Sequence, residues 1–329
     1  MKPCWDLLGF GAVAVDDLLY VDHYPPPNSK TEVRAVDRQG GGLTGTALVA
    51  AARLGATTAY AGVLGDDDLS RYTIAELTRE GVDCSPVLRR AEARPIHSVI
   101  IVDRATGGRN IFFGMADVIQ RPPEAMTADL IGRCRALFVD HKGIPGTLRA
   151  IELAHEHHIP VIGDVEGEPT PELLDLMGRI DHLVIGHELA GRVTGAAEPA
   201  DMVAALASPR RRGPQRAADS LLGSPGRVCI AVTAGERGCW WSERGGPVRY
   251  TPALRVQVVD TTGCGDVFHG AYAACIARGE SVERSIRVAT VTAGLKATRP
   301  GGRAGIPDRA TVERVLAEME PQMNADERG

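Results

Sequence analysis

The sequence predicts an α/β protein with a largely parallel central sheet and a small separate β-sheet. Short apolar runs typical of buried strands alternate with segments of helical periodicity through most of the 329 residues. Because strands joined by helices form right-handed βαβ units, the central sheet is expected to be covered on both faces. Two other segments, 32–39 and 99–113, alternate apolar and polar residues as half-exposed strands do. They suit either a lid over a site or a plain edge hairpin.

The elements of the central sheet follow one another at regular intervals. Buried strands are predicted at 7–15, 57–65, 136–140, 160–164, 182–186 and 227–235. Helices are predicted at 46–55, 70–80, 145–157 and 171–178. Gly81 is expected to end the second of these helices as its C′ residue. Between residues 208 and 227, a stretch rich in Arg, Pro and Gly predicts a mobile surface insertion.

Composition and charge exclude several classes of protein. Hydrophobic residues make up 44% and charged residues 24%, as in ordinary globular proteins. The net charge of −5 provides no basic field for nucleic acid or an anionic membrane. No window approaches the ~18 apolar residues needed to cross a bilayer. The seven cysteines lack CxxC spacing, so we expect no disulfide framework or zinc site, and a reduced cytoplasm is the expected location.

The segment VVDTTGCGDVFHGAYAACIARG (258–279) carries the strongest chemical signal. An apolar strand runs through Gly263 and Gly265 into a helix whose N-terminal amides and partial positive charge suit a phosphate group. Asp266 stands at the same place, although a carboxylate repels phosphate. It suits a base that accepts the proton of a substrate hydroxyl while the amides stabilise the transferred phosphoryl group. The alternative from these residues alone is that Asp266 only caps the helix.

Five blocks of the chain, in the right order, resemble signatures of the PfkB (ribokinase-like) carbohydrate kinases. They are GGGLTGTALVAAARLG (40–55), GVLGDDDLSRYTIAELTREGVD (62–83), TAGERG (233–238), DTTGCGDVFHG (260–270) and RPGGRAGIPD (299–308). The resemblance implies one kinase domain over 1–329 with the ribokinase-like three-layer fold and lid strands near 17–40 and 95–115. It also implies ATP-dependent phosphorylation of a small sugar, with Mg²⁺ as the cofactor.

The resemblance implies a role for each residue that matches a family motif. The catalytic base and the anion hole correspond to Asp266, Gly263, Cys264 and Gly265. The sugar site corresponds to Asp16, Gly41 and Gly42, and the ATP site to Thr233, Gly235 and Gly238. Many relatives hold a monovalent cation, K⁺, beside the anion hole, and the matching ligand positions are Asp260, Thr262, Gly301 and Gly305.

The chain departs from the family pattern at the magnesium motif. The family's NxxE motif falls at 186–189, where Gly186 and Leu189 replace the Asn and the Glu. Glu188 is one place off, which turns it roughly 100° around a helix. In place of the lost motif, Asp164 and Glu166, which follow the preceding strand, are expected to position the magnesium. The alternative interpretation is that they are surface acids at a strand end.

The sugar site departs from the pattern as well. Thr46 replaces the usual Asn of the N-terminal signature, and Ala14 replaces the Asn that ribokinases carry two places before Asp16. Both changes remove an amide that can donate and accept hydrogen bonds. A ribose site of the usual pattern is therefore not expected.

The C-terminal half looks most like the branch that contains sulfofructose kinase and ketohexokinase-like enzymes. Lys30 matches a lid lysine that meets the anionic end of the sugar in sulfofructose kinases, Lys142 replaces an Arg of that branch, and Phe113 replaces an Asn. Arg109 and Lys142 suit either an anionic substrate, the ATP phosphates or solvent.

The sequence therefore predicts a hexose or ketose kinase, with an anionic sugar such as sulfofructose included. The alternatives are a kinase for another small alcohol (a nucleoside or a sugar acid) and a catalytically weak sugar-binding regulator, since the magnesium motif is lost. A homodimer through the lid is a further expectation from the resemblance.

Overall fold

The structure, a computed structural model, describes residues 3–106, 108–207 and 227–326. Almost all of the predicted insertion at 208–227 lies outside this part of the chain. The described residues form a nine-stranded central sheet and a separate four-stranded sheet, as predicted. A third, two-stranded sheet joins β5 (Val63–Leu64) to β7 (Leu88–Arg89).

The central sheet is parallel over most of its width. Its strands are β1 (Trp5–Phe10), β4 (Thr58–Tyr60), β6 (Val82–Asp83), β10 (Cys134–Asp140), β11 (Val161–Asp164), β12 (His182–Gly186), β13 (Cys229–Thr233), β14 (Cys239–Glu243) and β15 (Arg249–Thr251). Their spatial order is β15-β14-β13-β12-β11-β10-β1-β4-β6. The strands β14 and β15, which sequence analysis did not predict, pair antiparallel at one edge. The carboxyl ends of the parallel strands therefore share one edge, where ligands bind in open α/β sheets.

Helices cover both faces of the central sheet and bury two apolar cores. The helices are α1 (Leu43–Arg53), α2 (Asp68–Arg79), α3 (Ala128–Ile131), α4 (Ile144–Glu156), α5 (Pro171–Arg179), α6 (His187–Thr194), α7 (Pro199–Ala207), α8 (Cys264–Ala277), α9 (Val282–Lys296) and α10 (Arg309–Asp326). Side chains from α1, α8 and α9 pack in one core, and side chains from α3 to α7 pack in the other. Gly81 has φ +84° directly after α2, as predicted for a C′ residue.

The strand predicted at 7–15 is two strands, and the break between them creates the lid. β1 ends at Phe10, and β2 (Ala14–Val21) leaves the central sheet. At Gly11 a Cβ atom would lie 2.2 Å from Asp140 Oδ2, so the chain there must be glycine. The strand predicted at 57–65 is likewise divided into β4 and β5. Neither division could be predicted from hydrophobicity, because the residues on both sides of each break are apolar and buried.

The small sheet is built from β2, β3 (Ala35–Gly41), β8 (Ile96–Asp103) and β9 (Arg109–Gly114), in the order β3-β2-β8-β9. β2 pairs parallel with β8 and antiparallel with β3, and β8 pairs antiparallel with β9. Asp16, Gln39, Ser98 and Phe113 are register partners, so their side chains share one face of the lid. No helix in the described ranges is both long and apolar enough to span a membrane.

Candidate active site

The predicted anion hole is the N-terminus of α8. Gly263 is the N-cap with φ +71°, and no side chain caps the helix. The Cys264 amide donates to the Thr261 carbonyl (3.1 Å) and the Val267 amide to the Gly263 carbonyl (2.9 Å). Within the described part of the chain, the amides of Gly265 and Asp266 have no protein acceptor. These two amides, rather than the amide of Cys264, are free to bind an anion.

Asp266 lies in the first turn of α8 and is partly exposed. Burial raises the pKa of its carboxyl well above the usual range, and the neighbouring acids Asp164 and Glu166 raise it further. His269 and Arg303 oppose this shift. Since Gly263 is the N-cap and no side chain caps the helix, the alternative that Asp266 is a cap does not describe this site.

Asp16 faces the same cleft from the lid strand β2. Burial raises the pKa of its carboxyl, whereas a hydrogen bond with Ser98 and the charge of Arg303 lower it. A Cβ atom at Gly41 would lie 2.2 Å from Asp16 Oδ2, so only glycine leaves room for this carboxylate. Gly42 has φ +85° as the N-cap of α1. The predicted sugar residues therefore do lie together.

Arg303, which sequence analysis did not single out, lies beside the predicted sugar residues. Its Nη2 donates to the Gly41 carbonyl at 2.7 Å, and its Nε donates to Thr46 Oγ1 at 3.2 Å. Its side chain is buried, and burial lowers the pKa of the guanidinium to about 10, so it is still a cation at neutral pH. Asp16 and Asp266 are the two acids with the largest electrostatic effect on it. Thr46, which replaces the usual Asn of the family signature, thus accepts a hydrogen bond from an arginine.

A fully buried acid, Asp140, connects three segments of the chain. Asp140, at the end of β10, accepts hydrogen bonds from the Ala12 amide (2.6 Å), Thr44 Oγ1 (2.8 Å) and the Lys142 amide (2.7 Å). Burial raises the pKa of its carboxyl. The half-buried Lys142 is therefore anchored by its backbone to the turn after β10. Lys30 is exposed in the connection between β2 and β3, and Phe113 is 65% exposed on β9.

The predicted ATP residues surround one tight turn after β13. Gly235 has φ +57° and Gly238 has φ +96°, and the Ala234 amide donates to the Gly238 carbonyl at 2.9 Å. A Cβ atom at Gly238 would lie 2.4 Å from the Thr251 carbonyl oxygen, so the turn packs tightly against β15. Thr233 ends β13, at the carboxyl edge of the central sheet. The turn is therefore tightly packed and lies at the carboxyl edge of the sheet, where ligands generally bind in open α/β folds.

The predicted magnesium residues lie beside Asp266 but differ in exposure. Asp164 is buried, its Oδ2 has no hydrogen-bond partner, and its carboxylate lies 3.3 Å from His269 Nδ1. Glu166 is exposed. Burial raises the pKa of Asp164 well above its usual range, with Glu166 and Asp140 adding to the shift. No group of three metal-binding side chains occurs in the described residues, so these acids fit a cation that arrives with other ligands, such as phosphates.

The residues predicted to bind a monovalent cation also lie together, but a lysine occupies their centre. The Lys296 side chain is fully buried, and its Nζ donates to the carbonyl of Asp260 at 3.0 Å and to the carbonyl of Thr262. The Gly301 amide donates to Asp260 Oδ2 at 2.8 Å, and a Cβ atom at Gly305 would lie 2.5 Å from the Lys296 carbonyl oxygen. The four predicted ligands therefore do not fit a free K⁺ ion, because the ammonium already binds the oxygens that K⁺ would need.

Arg109 connects the lid to the same loop. Its Nη1 donates to Asp260 Oδ1 at 3.1 Å and to Thr262 Oγ1. The arginine is more than a third exposed, so this surface ion pair adds little stability. The contacts of Arg109 do place the lid strand β9 next to the loop that leads into the anion hole.

A parallel α/β sheet, a glycine-rich helix N-terminus with open amides and a carboxylate beside them define a class of phosphoryl-transfer proteins. The chain matches the pfkB family of carbohydrate kinases over residues 6–309 and belongs to that family. It is an ATP-dependent sugar kinase.

Individual relatives agree with this family. The chain is 27% identical to the ribokinase of Bacillus subtilis, over 93% of this chain and 98% of the relative. It is 27% identical to fructokinase-1 of Oryza sativa subsp. japonica, over 88% of this chain and 91% of the relative. The structure of Arabidopsis thaliana ribokinase with ribose and ATP has the same fold, with a TM-score of 0.79 and 23% identity over 96% of this chain and 99% of that one. These relatives do not support the predicted nearness to the sulfofructose kinase and ketohexokinase-like branch.

Proposed function

We propose that this kinase transfers the γ-phosphoryl group of ATP to a hydroxyl of a hexose or ketose bound between the lid and the central sheet. The observation that supports the proposal is the buried Arg303, which is bonded to Thr46 and to the carbonyl of Gly41, the glycine that packs against Asp16. The positive charge of Arg303 lowers the pKa of both carboxyls, which supports a single cleft for the sugar-binding acid and the base.

The sugar would bind on the lid side of this cleft. Asp16 can accept hydrogen bonds from two sugar hydroxyls, and the glycine at position 41 leaves its carboxylate accessible. Arg303 already donates to Thr46 and to the Gly41 carbonyl, and a guanidinium has five donors. Its remaining donors can therefore serve a sugar oxygen. Phe113 and Ile111, both exposed on the Asp16 face of the lid, would cover the apolar side of the sugar.

Phosphoryl transfer would take place at the N-terminus of α8. Asp266 would accept the proton of the attacking hydroxyl, since burial and two neighbouring acids raise its pKa and so strengthen it as a base. The open amides of Gly265 and Asp266 would stabilise charge on the transferred phosphoryl group. The amide of Cys264 would not bind the phosphoryl group, because it already donates to the Thr261 carbonyl, and Cys264 would act only as part of the first turn of α8.

Magnesium would enter with the nucleotide. Its chemistry when bound is to neutralise charge on the β- and γ-phosphates. Glu166, which is exposed, would face the ion through water, and the buried Asp164 would orient this acidic edge. Thr233, Gly235 and Gly238 would border the phosphates and ribose of ATP on the opposite side.

The choice of a hexose or ketose rests on the changes in the sugar site. The Asn residues expected of ribokinases are absent at Ala14 and Thr46, and Arg303 fills the space beside Thr46. A sugar with an anionic group is the second candidate, because the buried Arg303 guanidinium places positive charge near Asp16. A nucleoside or a sugar acid would use the same base and anion hole.

The first prediction concerns the acceptor. We expect ADP release with fructose or a related hexose to exceed that with ribose by roughly 10-fold or more in kcat/KM, a difference of about 1.4 kcal/mol in transition-state binding. The measurement is coupled ADP release over a panel of ketoses, aldoses, sulfofructose, sugar acids and nucleosides. EDTA in excess over magnesium should abolish turnover. Higher kcat/KM with ribose than with any hexose would contradict the hexose assignment.

We further propose that two lids pair in a homodimer. Val36 and Phe112 are 66% and 56% exposed, and by strand register Phe112 lies on the face opposite to Asp16. All six residues of the edge strand β9 are exposed. An exposed, apolar edge strand is a template for pairing with another strand, and a second copy of the same lid supplies one.

The second prediction separates the two faces of the lid. We expect Phe112→Lys to convert a dimer into a monomer, as measured by light scattering after size-exclusion chromatography, because a charge would be buried in the interface. Phe113→Lys is the matched control on the inner face, and it should remain dimeric while raising KM for the sugar. A wild-type chain that is monomeric at every concentration tested would refute the lid dimer.

A further inference from the structure

We propose that the Lys296 ammonium is a built-in monovalent cation that positions the anion-hole loop and makes this kinase independent of K⁺. Lys296 is the last residue of α9, and its side chain reaches the loop that leads into α8. The inference goes beyond the proposed function, since it concerns how the loop is held and not which sugar is phosphorylated.

The Lys296 ammonium contacts backbone carbonyls, as a bound metal cation would. Its Nζ donates to the carbonyls of Asp260 and Thr262, two residues apart, so one cation draws both peptide oxygens toward a single point. The side chain is fully buried. A buried ammonium requires hydrogen-bond acceptors and opposite charge, and this loop supplies both.

The Asp260 carboxylate supplies the opposite charge. Burial alone would raise its pKa, but hydrogen bonds from the Thr262 hydroxyl and amide and from the Gly301 amide, together with the Lys296 charge, lower the pKa to about 2. Asp260 is therefore an anion at neutral pH. Burial lowers the pKa of Lys296, and neighbouring Cys264 and Asp260 oppose that shift. The lid residue Arg109 contacts the same carboxylate from the opposite, exposed side.

The consequence for the anion hole follows from chain geometry. The carbonyls of Asp260 and Thr262 accept from Lys296, and the Cys264 amide closes a turn onto the Thr261 carbonyl between them. Helix α8 begins directly after this loop, and the amides of Gly265 and Asp266 in its first turn have no protein acceptor among the described residues. Lys296 is thus a positioning residue, because it bonds the carbonyls of the loop that presents the open amides. A free K⁺ ion would compete with the ammonium for the same oxygens and would meet a like charge.

The test uses full-length protein in buffers of equal ionic strength containing tetramethylammonium, Li⁺, Na⁺, K⁺ or NH₄⁺ chloride. For the wild type, we expect neither the melting temperature nor kcat to respond selectively to K⁺ or NH₄⁺. For Lys296→Ala, which leaves a cavity lined by the same carbonyls, we expect a lower melting temperature and a kcat reduced by roughly 10- to 100-fold, as for residues that orient a functional group. Both should recover with K⁺ or NH₄⁺ and not with Li⁺ or tetramethylammonium.

Lys296→Met is the matched control, because its apolar chain fills the space without charge. It should lose activity and gain nothing from any cation. Lys296→Arg retains the charge and keeps the test available if the alanine variant does not fold. A wild type whose melting temperature or kcat rises selectively with K⁺ would overturn the proposal, as would a folded Lys296→Ala that no cation restores. The melting measurement needs no turnover, so it decides this inference even if the proposed acceptor proves wrong.

Discussion

Replacing Asp266 with Asn is expected to lower kcat by about 10²- to 10⁴-fold, the usual contribution of a positioned general base. The amide cannot accept the hydroxyl proton, yet it has nearly the same shape. KM for the sugar should change little, because Asp16 and Arg303 remain in place. Steady-state ADP release with the preferred sugar measures the effect, and the melting temperature should not fall, since the change removes a charge that sits beside two other acids.

Asp16→Asn is the matched control for this variant. It alters an acid on the lid face of the same cleft, so it should raise KM for the sugar more than it lowers kcat. The two variants therefore separate binding from proton transfer. Undiminished turnover in Asp266→Asn would remove the proposed base and, with it, the mechanism at the α8 terminus.

The fold could be predicted well because its signals are local. Strands such as 182–186 and helices such as 145–157 coincide with the structure within one or two residues, since short apolar runs and 3.6-residue periodicity report burial directly. The division of 7–15 into β1 and β2 could not be predicted in the same way. The chain turns out of the central sheet because Asp140, far away in sequence, occupies the space beside Gly11.

The site could be predicted only where a motif carried it. Asp266, Asp16 and Gly41 were predicted because each belongs to a recognisable string, and in the structure the charge of one arginine acts on both acids. Arg303 and Lys296 were missed, although both matter most for the charge balance of the cleft. A long cation in a glycine-rich loop or at a helix C-terminus usually lies in solvent, and burial by distant partners has no signature in sequence.

Loss of Arg303 is expected to be the most damaging single change to the structure of the site. Arg303→Met keeps an unbranched side chain of similar volume, but it removes the bonds to Thr46 and Gly41 and the positive charge that lowers the pKa of Asp16. Leaving a buried hydrogen-bond acceptor without its partner costs about 1–3 kcal/mol. We therefore expect the free energy of unfolding, measured in urea, to fall by an amount of this order, and KM for the sugar to rise.

Two further variants make that result specific. Arg299→Met alters an exposed arginine of the same loop and should leave both stability and KM unchanged. Arg303→Lys keeps the positive charge but has no planar fork, so it should recover part of the stability while KM stays high. If Arg303→Met unfolded with the wild-type free energy and bound the sugar as well as the wild type does, the guanidinium would contribute neither to stability nor to sugar binding. Asp16 and Asp266 would then no longer be coupled through the charge of this arginine, and the proposed single cleft would lose its main support.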